Sequence, residues 1–212
     1  MNNTFSARVA LQFGWDTFKK RAWFLVGATL FLGVLFMCIN TINQHAAGGF
    51  FIDALIGIFV MVVSVAIDMG QVSFFLRAHD DVGHVSLDSL WHPRSFWHYF
   101  VTVIMVGILT VAGLILLIVP GIVIMTMLAF VKLLIIDRHL GPIEAMKESA
   151  RITHGHRLEI LLLFLFLLAI NVLGAIPLFL GLLLTVPVSM IAIAHAYRTL
   201  TNTSHIGSAS VI

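Results

Sequence analysis

Long apolar runs alternate with short polar ones along this chain. Tyr99–Val131 is 33 residues without Asp, Glu, Lys or Arg. As one helix it would be about 50 Å long, too long for a hydrocarbon core of about 30 Å. It must fold back, and Val119-Pro120-Gly121 marks the place, because proline cannot continue a helical ladder and glycine tolerates turn geometry. Ile160–Tyr197 is 38 uncharged residues, about 57 Å as one helix, and Pro177 divides it between Gly174 and Gly181. At the front, the polar stretch Asn43-Gln44-His45-Ala46-Ala47-Gly48-Gly49 separates two more runs. The pattern predicts an all-α integral membrane bundle with six spans, at 22–42, 50–76, 96–119, 121–136, 158–176 and 178–197. They pair as three hairpins, with Pro120, Gly121 and Pro177 at the turns.

Between the hairpins the periodicity changes to an amphipathic one. Residues 4–20 carry Phe5, Val9 and Phe13 at four-residue spacing and end in Lys19-Lys20-Arg21, so this helix should lie along the membrane surface. Residues 86–97 place Leu87, Leu90, Trp91, Phe96 and Trp97 where an aromatic belt belongs, with Ser86 and Asp88 as candidate caps. Residues 142–154 open on Pro142 and stop before Gly155, as a short helix does. There Ile143, Met146 and Ala150 form the apolar face, and Glu144, Lys147, Glu148 and Arg151 turn to water. Ser149 belongs to the same interfacial helix. Residues 201–212 are expected to be a flexible tail.

Composition supports the membrane class: 60% of residues are hydrophobic and 10% charged, against about 25% charged in soluble domains. A cytosolic enzyme, a DNA-binding module and a disordered regulator are excluded. The basic residues also report orientation, since Lys and Arg favour cytoplasmic loops. With six spans all twelve fall on one side: before the first span, between the second and third, between the fourth and fifth, and after the sixth. Lys132 snorkels to that side from within the fourth. Both termini are therefore expected in the cytoplasm, and the net charge of +2 is no argument for nucleic acid. The first twenty residues, with Arg8, Asp16, Lys19 and Lys20, lack the unbroken apolar core of a cleaved signal. Cys38, the single cysteine, offers no intramolecular disulfide and reads as a small apolar helix residue.

Asp68 is the charge most in need of a reason, since a carboxylate within a span costs a few kcal/mol unless paired, protonated or hydrated. It lies about 13 Å along its helix from Arg77. Either it serves a proton or cation site facing the bundle interior, or it packs helices together with Lys132, Ser64 or Ser73. Asp53 reads as solvated near the outer interface, and Asn171 as an interhelical hydrogen-bonder. His79-Asp80-Asp81 with His84, and His154-Gly155-His156, lack the convergent spacing of a zinc site. No metal or cofactor is expected. Catalytic motifs such as a phosphate loop or nucleophile elbow are missing too, so no catalytic residues are assigned. Nor do the spans show a channel's polar stripe, and the prolines are read at turns rather than mid-span, unlike the broken helices of transporters.

The segment Leu117-Ile118-Val119-Pro120-Gly121-Ile122, followed by Leu134-Ile135-Ile136-Asp137, Gly141-Pro142-Ile143-Glu144-Ala145-Met146-Lys147-Glu148-Ser149 and Ile152-Thr153-His154-Gly155, resembles a broad set of bacterial polytopic membrane proteins without a settled activity. These are similar to the membrane domain attached to some glycerophosphoryl diester phosphodiesterases. Gly14-Trp15-Asp16-Thr17-Phe18-Lys19-Lys20, Val186-Pro187-Val188 and Tyr197-Arg198 extend the likeness over nearly the whole chain. The resemblance implies an architecture and an inner-membrane address. It does not carry over the phosphodiesterase activity, which resides in a separate soluble barrel that Thr199–Ile212 cannot supply.

The expected function is that of a non-enzymatic multi-pass protein of the inner (plasma) membrane, a scaffold or accessory factor of the lipid envelope. Its expected partners are membrane lipids, with other proteins or a second copy beside them. Two other readings stand against it. One is a transporter or lipid-moving protein using Asp68 and Lys132 in a cytoplasmic-half groove, which requires both residues to face the bundle interior. The other is a hydrolase built on the loop histidines, which requires bound zinc.

Overall fold

The computed structural model describes residues 6–44, 49–81, 95–116, 118–176 and 180–209. Among these residues every regular element is helical: α1 Ala7–Lys20, α2 Ala22–Gln44, α3 Phe50–Asp80, α4 Phe96–Leu116, α5 Ile118–Met127, α6 Val131–Arg138, α7 Pro142–Thr153, α8 Arg157–Ala175 and α9 Leu182–Ala209. Five of them, α2, α3, α4, α8 and α9, are long and apolar enough to cross a membrane. Their large side chains are widely exposed on the outside, as with Phe51, Leu55, Phe59, Ile108, Leu165 and Leu168. In water such a surface would aggregate; in a bilayer it faces acyl chains. The protein is an all-helical membrane protein.

Contacts gather one end of the bundle. Arg198 near the end of α9 meets Asp80 at the end of α3 and Asp137 in α6. Arg138 meets Glu148 of α7, and the Ala7 amide of α1 donates to Glu159 of α8. This end, rich in basic residues, is called the basic end below. At the opposite, far end, two helix pairs touch through glycine. A side chain on Gly113 of α4 would come within 3.2 Å of the Gly121 Cα of α5, and one on Gly181 within 2.6 Å of the Gly174 Cα of α8.

Several elements differ from the sequence pattern, each for a physical reason. Pro120 and Gly121 are not the turn: both lie within α5, with Pro120 in its first turn, where proline removes no ladder hydrogen bond. Pro177 lies outside the described residues, as do 86–94 of the second amphipathic segment; 95–97 of that segment open α4. The expected fourth span, 121–136, is interrupted, since α5 stops at Met127 and α6 starts at Val131. Pro187 is inside α9 rather than at a turn, and α9 continues through 201–209, part of the expected tail.

The amphipathic helices bury other faces than expected. In α1 the packed stripe is Ala7, Ala10, Gly14 and Thr17 with Phe18, while Val9 is exposed. Small residues let the α1 backbone approach α9, as in other close helix crossings in membranes. In α7 the buried stripe is Ala145, Ser149, Ile152 and Thr153, and Ile143 is exposed. A Cβ on Gly14 would lie 2.7 Å from the Val188 carbonyl oxygen. Gly14→Leu is therefore expected to lower stability in detergent by about 1–3 kcal/mol through overpacking. A Cβ on Gly27 would meet nothing of the packed neighbours within 4 Å, and Gly27→Ala should leave the unfolding midpoint unchanged or raise it slightly. Equal effects of the two on thermal unfolding would rule out the close α1–α9 contact.

Candidate functional site

Asp68 and Lys132 come together. The Lys132 ammonium of α6 donates to Asp68 Oδ2 of α3 at 2.7 Å, and the Tyr99 hydroxyl of α4 donates to the same oxygen at 2.7 Å. Three helices thus contribute one group each. Tyr99 is fully buried, so its hydroxyl needs a partner, and the carboxylate supplies it. Asp68 and Lys132 keep roughly a third and two fifths of their side-chain surface open, because both line a cavity of about 270 Å³ with Val72, Leu133 and Phe164.

The interruption between α5 and α6 puts Lys132 there. An unwound turn inside an apolar bundle leaves backbone groups without helical partners, which is costly away from water. Ser149 of α7, fully buried, answers this twice: its hydroxyl donates to the Met127 carbonyl at 2.8 Å and accepts from the Phe130 amide at 3.3 Å. Leu128 and Leu134 close the flanking turns through Ile124 and Phe130 carbonyls. Lys132 is the second residue after the break, held at the start of α6.

The cavity beside Asp68 adjoins two others. On one side Phe164, Met190 and Ile193 are shared with a lateral groove of about 610 Å³ between α5, α8 and α9. Its walls are almost entirely apolar, apart from Thr126, Asn171 and Ser189. Asn171 is an interhelical hydrogen-bonder: it donates to Ser189 Oγ at 2.9 Å and accepts from Thr185 at 2.8 Å. On the other side Leu76 is shared with a polar chamber of about 280 Å³ at the basic end, lined by Ser73, Arg77, Asp80, Asp137, His139 and Arg198. Arg198 spans the two carboxylates, at 2.5 Å to Asp80 and 2.9 Å to Asp137. Tyr197 donates to Asp137 at 2.6 Å, so each of the chain's two tyrosines holds an aspartate.

The three spaces follow one helical stripe. Along α5 and α6 the walls are Ile122, Met125 and Thr126, then Ala129, Lys132 and Leu133, then Ile136 and Asp137. Along α9 they are Val186, Ser189, Met190 and Ile193, then Ala194, then Arg198. Steps of three and four residues keep the lining residues of all three spaces on one face of each element. Polarity rises stepwise from the far end to the basic end.

The remaining expected residues sit apart. In α7, Glu144 accepts from the Gly141 amide at its own N-terminus, and Lys147 is exposed. Arg151 makes two 2.7 Å contacts to Glu148, whose hydrogen bond and charge hold the guanidinium above its ordinary value. The loop histidines do not converge: His79 meets His195 at 3.2 Å, with Phe13 stacked on His195, while His84 is outside the described residues. Among the described residues no group of three or more His, Cys, Asp or Glu could hold a metal ion. The pattern of the sequence pointed to Asp68 and Lys132 but not to Tyr99, Asp80, Asp137 or Arg198. Tyr99 and Tyr197 are the chain's two tyrosines, and nothing in the pattern around them marks either as an aspartate's partner. Comparison with protein families, with curated proteins and with solved structures gives no match.

Proposed function

We propose that this chain is a non-enzymatic multi-pass protein of a bacterial inner membrane that takes up a lipid sideways from the bilayer and carries its polar head along the Asp68–Lys132 track. The observation that carries this reading is the meeting of an ion pair and an apolar groove across shared walls at Phe164, Met190 and Ile193. A volume of about 610 Å³ lies within the ~300–1,000 Å³ of small-molecule sites. An interrupted helix beside an intramembrane charge is the backbone arrangement that transport sites use. A scaffold would have no use for three adjoining spaces of graded polarity.

In this reading α5 and α6 together form the fourth of six spans, about 32 Å from Ile118 to Arg138 at helical rise. The spans pair as three hairpins, α2 with α3, α4 with α5–α6, and α8 with α9. The basic end then faces the cytoplasm with both termini, as the placement of Lys and Arg favours.

The test is transfer of a fluorescent phospholipid between leaflets of liposomes containing the purified chain. The wild type should accelerate it over protein-free liposomes, and Asp68→Asn or Lys132→Gln should cut the rate roughly tenfold, as loss of a charge-assisted hydrogen bond does. Rates equal to protein-free liposomes, with no lipid retained in native mass spectra, would overturn the reading.

A further inference from the structure

Resting on that reading, we infer that the ligand's head is zwitterionic and carries a primary ammonium, as in phosphoethanolamine lipids. Each polar station along the track presents matched charges. The first holds Lys132 and Asp68, one of each sign. The second, the chamber at the basic end, is lined by Arg77 and Arg198 against Asp80 and Asp137. Both stations are formally neutral.

Charge matching decides the class of guest. Beside Lys132 and Asp68, an anionic head would add a net charge to a balanced space whose other walls are apolar, where uncompensated charge costs several kcal/mol. A head with one phosphate and one ammonium adds none. It can also exchange partners with the ion pairs it meets: phosphate to a guanidinium or to Lys132, ammonium to a carboxylate.

Geometry sharpens this further. Arg198 divides its donors between two carboxylates, and an ionised carboxylate has about four acceptor positions. Beside Arg198, Asp80 has the His79 ring at 3.0 Å and Asp137 accepts from Tyr197, which still leaves each carboxylate room for a further N–H donor. A primary ammonium offers three such donors, whereas a quaternary trimethylammonium offers none. Asp68 keeps its Tyr99 hydrogen bond when Lys132 turns to a phosphate, so the exchange strands no buried carboxylate. The chain of the lipid lies in the groove toward the far end. The groove, about 610 Å³ with almost wholly apolar walls, offers an acyl chain the surroundings it has in the bilayer.

The experiment titrates the purified full-length chain in detergent with short-chain phosphatidylethanolamine, phosphatidylcholine and phosphatidylglycerol, read by native mass spectrometry. Phosphatidylethanolamine should bind roughly tenfold tighter than either of the others, a difference of about 1.4 kcal/mol. Asp80→Asn with Asp137→Asn should remove that preference while phosphatidylglycerol still binds, which also shows that the variant is folded. Should that double variant not fold, Asp80→Asn alone should narrow the preference. Equal binding of all three lipids, or tighter phosphatidylglycerol, would overturn the inference and leave the proposed function standing. Absence of any lipid binding would sink both.

Discussion

Asp68→Ala is expected to lower the unfolding free energy of the purified protein by about 3 kcal/mol, the cost of leaving a lysine within the apolar bundle without its counter-charge. Lys132 has its 2.7 Å contact to Asp68 Oδ2, and the same oxygen satisfies buried Tyr99, so one truncation strands two groups. Tyr99→Phe removes only a hydroxyl and should cost about 1 kcal/mol. The informative variant is Asp68→Ala combined with Lys132→Met, which removes both charges and keeps most of the lysine's volume. It should recover most of the lost stability, because replacing a whole ion pair with apolar groups is far less costly than breaking it. Reversible denaturation in mixed micelles measures all four proteins. A double variant no more stable than Asp68→Ala would show that the pair is not the source of the loss.

Ser149→Ala should have an effect of similar size, about 2–4 kcal/mol, through a different mechanism. Ser149 contributes no charge, and its own side chain is small. What it removes is the partner of two backbone groups at the α5–α6 interruption, the Met127 carbonyl and the Phe130 amide. Each buried polar group left unsatisfied costs about 1–3 kcal/mol. Hydrogen exchange gives the specific readout: the Phe130 amide should lose protection in the variant while amides in the middle of α8 keep theirs. Wild-type stability together with a protected Phe130 amide would show that Ser149 does not hold the break. Lys132 is two residues from Phe130, so the same substitution should also slow lipid transfer without touching the groove.

The long helices were legible because apolar length against bilayer thickness is a strong constraint. α2, α3, α4 and α8 start within a residue of where polar residues give way to apolar ones. The break at Leu128-Ala129-Phe130 was not legible, since none of these residues is a proline or glycine. It is set by hydrogen bonds from a helix twenty residues further on, which no local pattern encodes. The packed faces of α1 and α7 were misread for a related reason. Periodicity weights large apolar side chains, yet these helices are drawn in by alanine, glycine, serine and threonine, where close backbone approach matters more than side-chain area. Asp68 and Lys132 were legible as charges out of place, because the bilayer penalises each alone. Tyr99 was not, since a tyrosine at a helix start suits an interfacial belt equally well.

The two glycine contacts at the far end bear on how the bundle moves. There α4 meets α5 at Gly113 and Gly121, and Gly174 of α8 meets Gly181 just before α9. Backbone approaches backbone there with only the Ile124 and Thr185 side chains beside the contacts, which leaves little to slide or repack. The opposite end is held by ion pairs, which can trade one partner for another without a gap opening. In the proposed lipid carrier, a bundle pinned at one end and latched at the other would part at its charged tips while the far end stays shut, as a clothes-peg does.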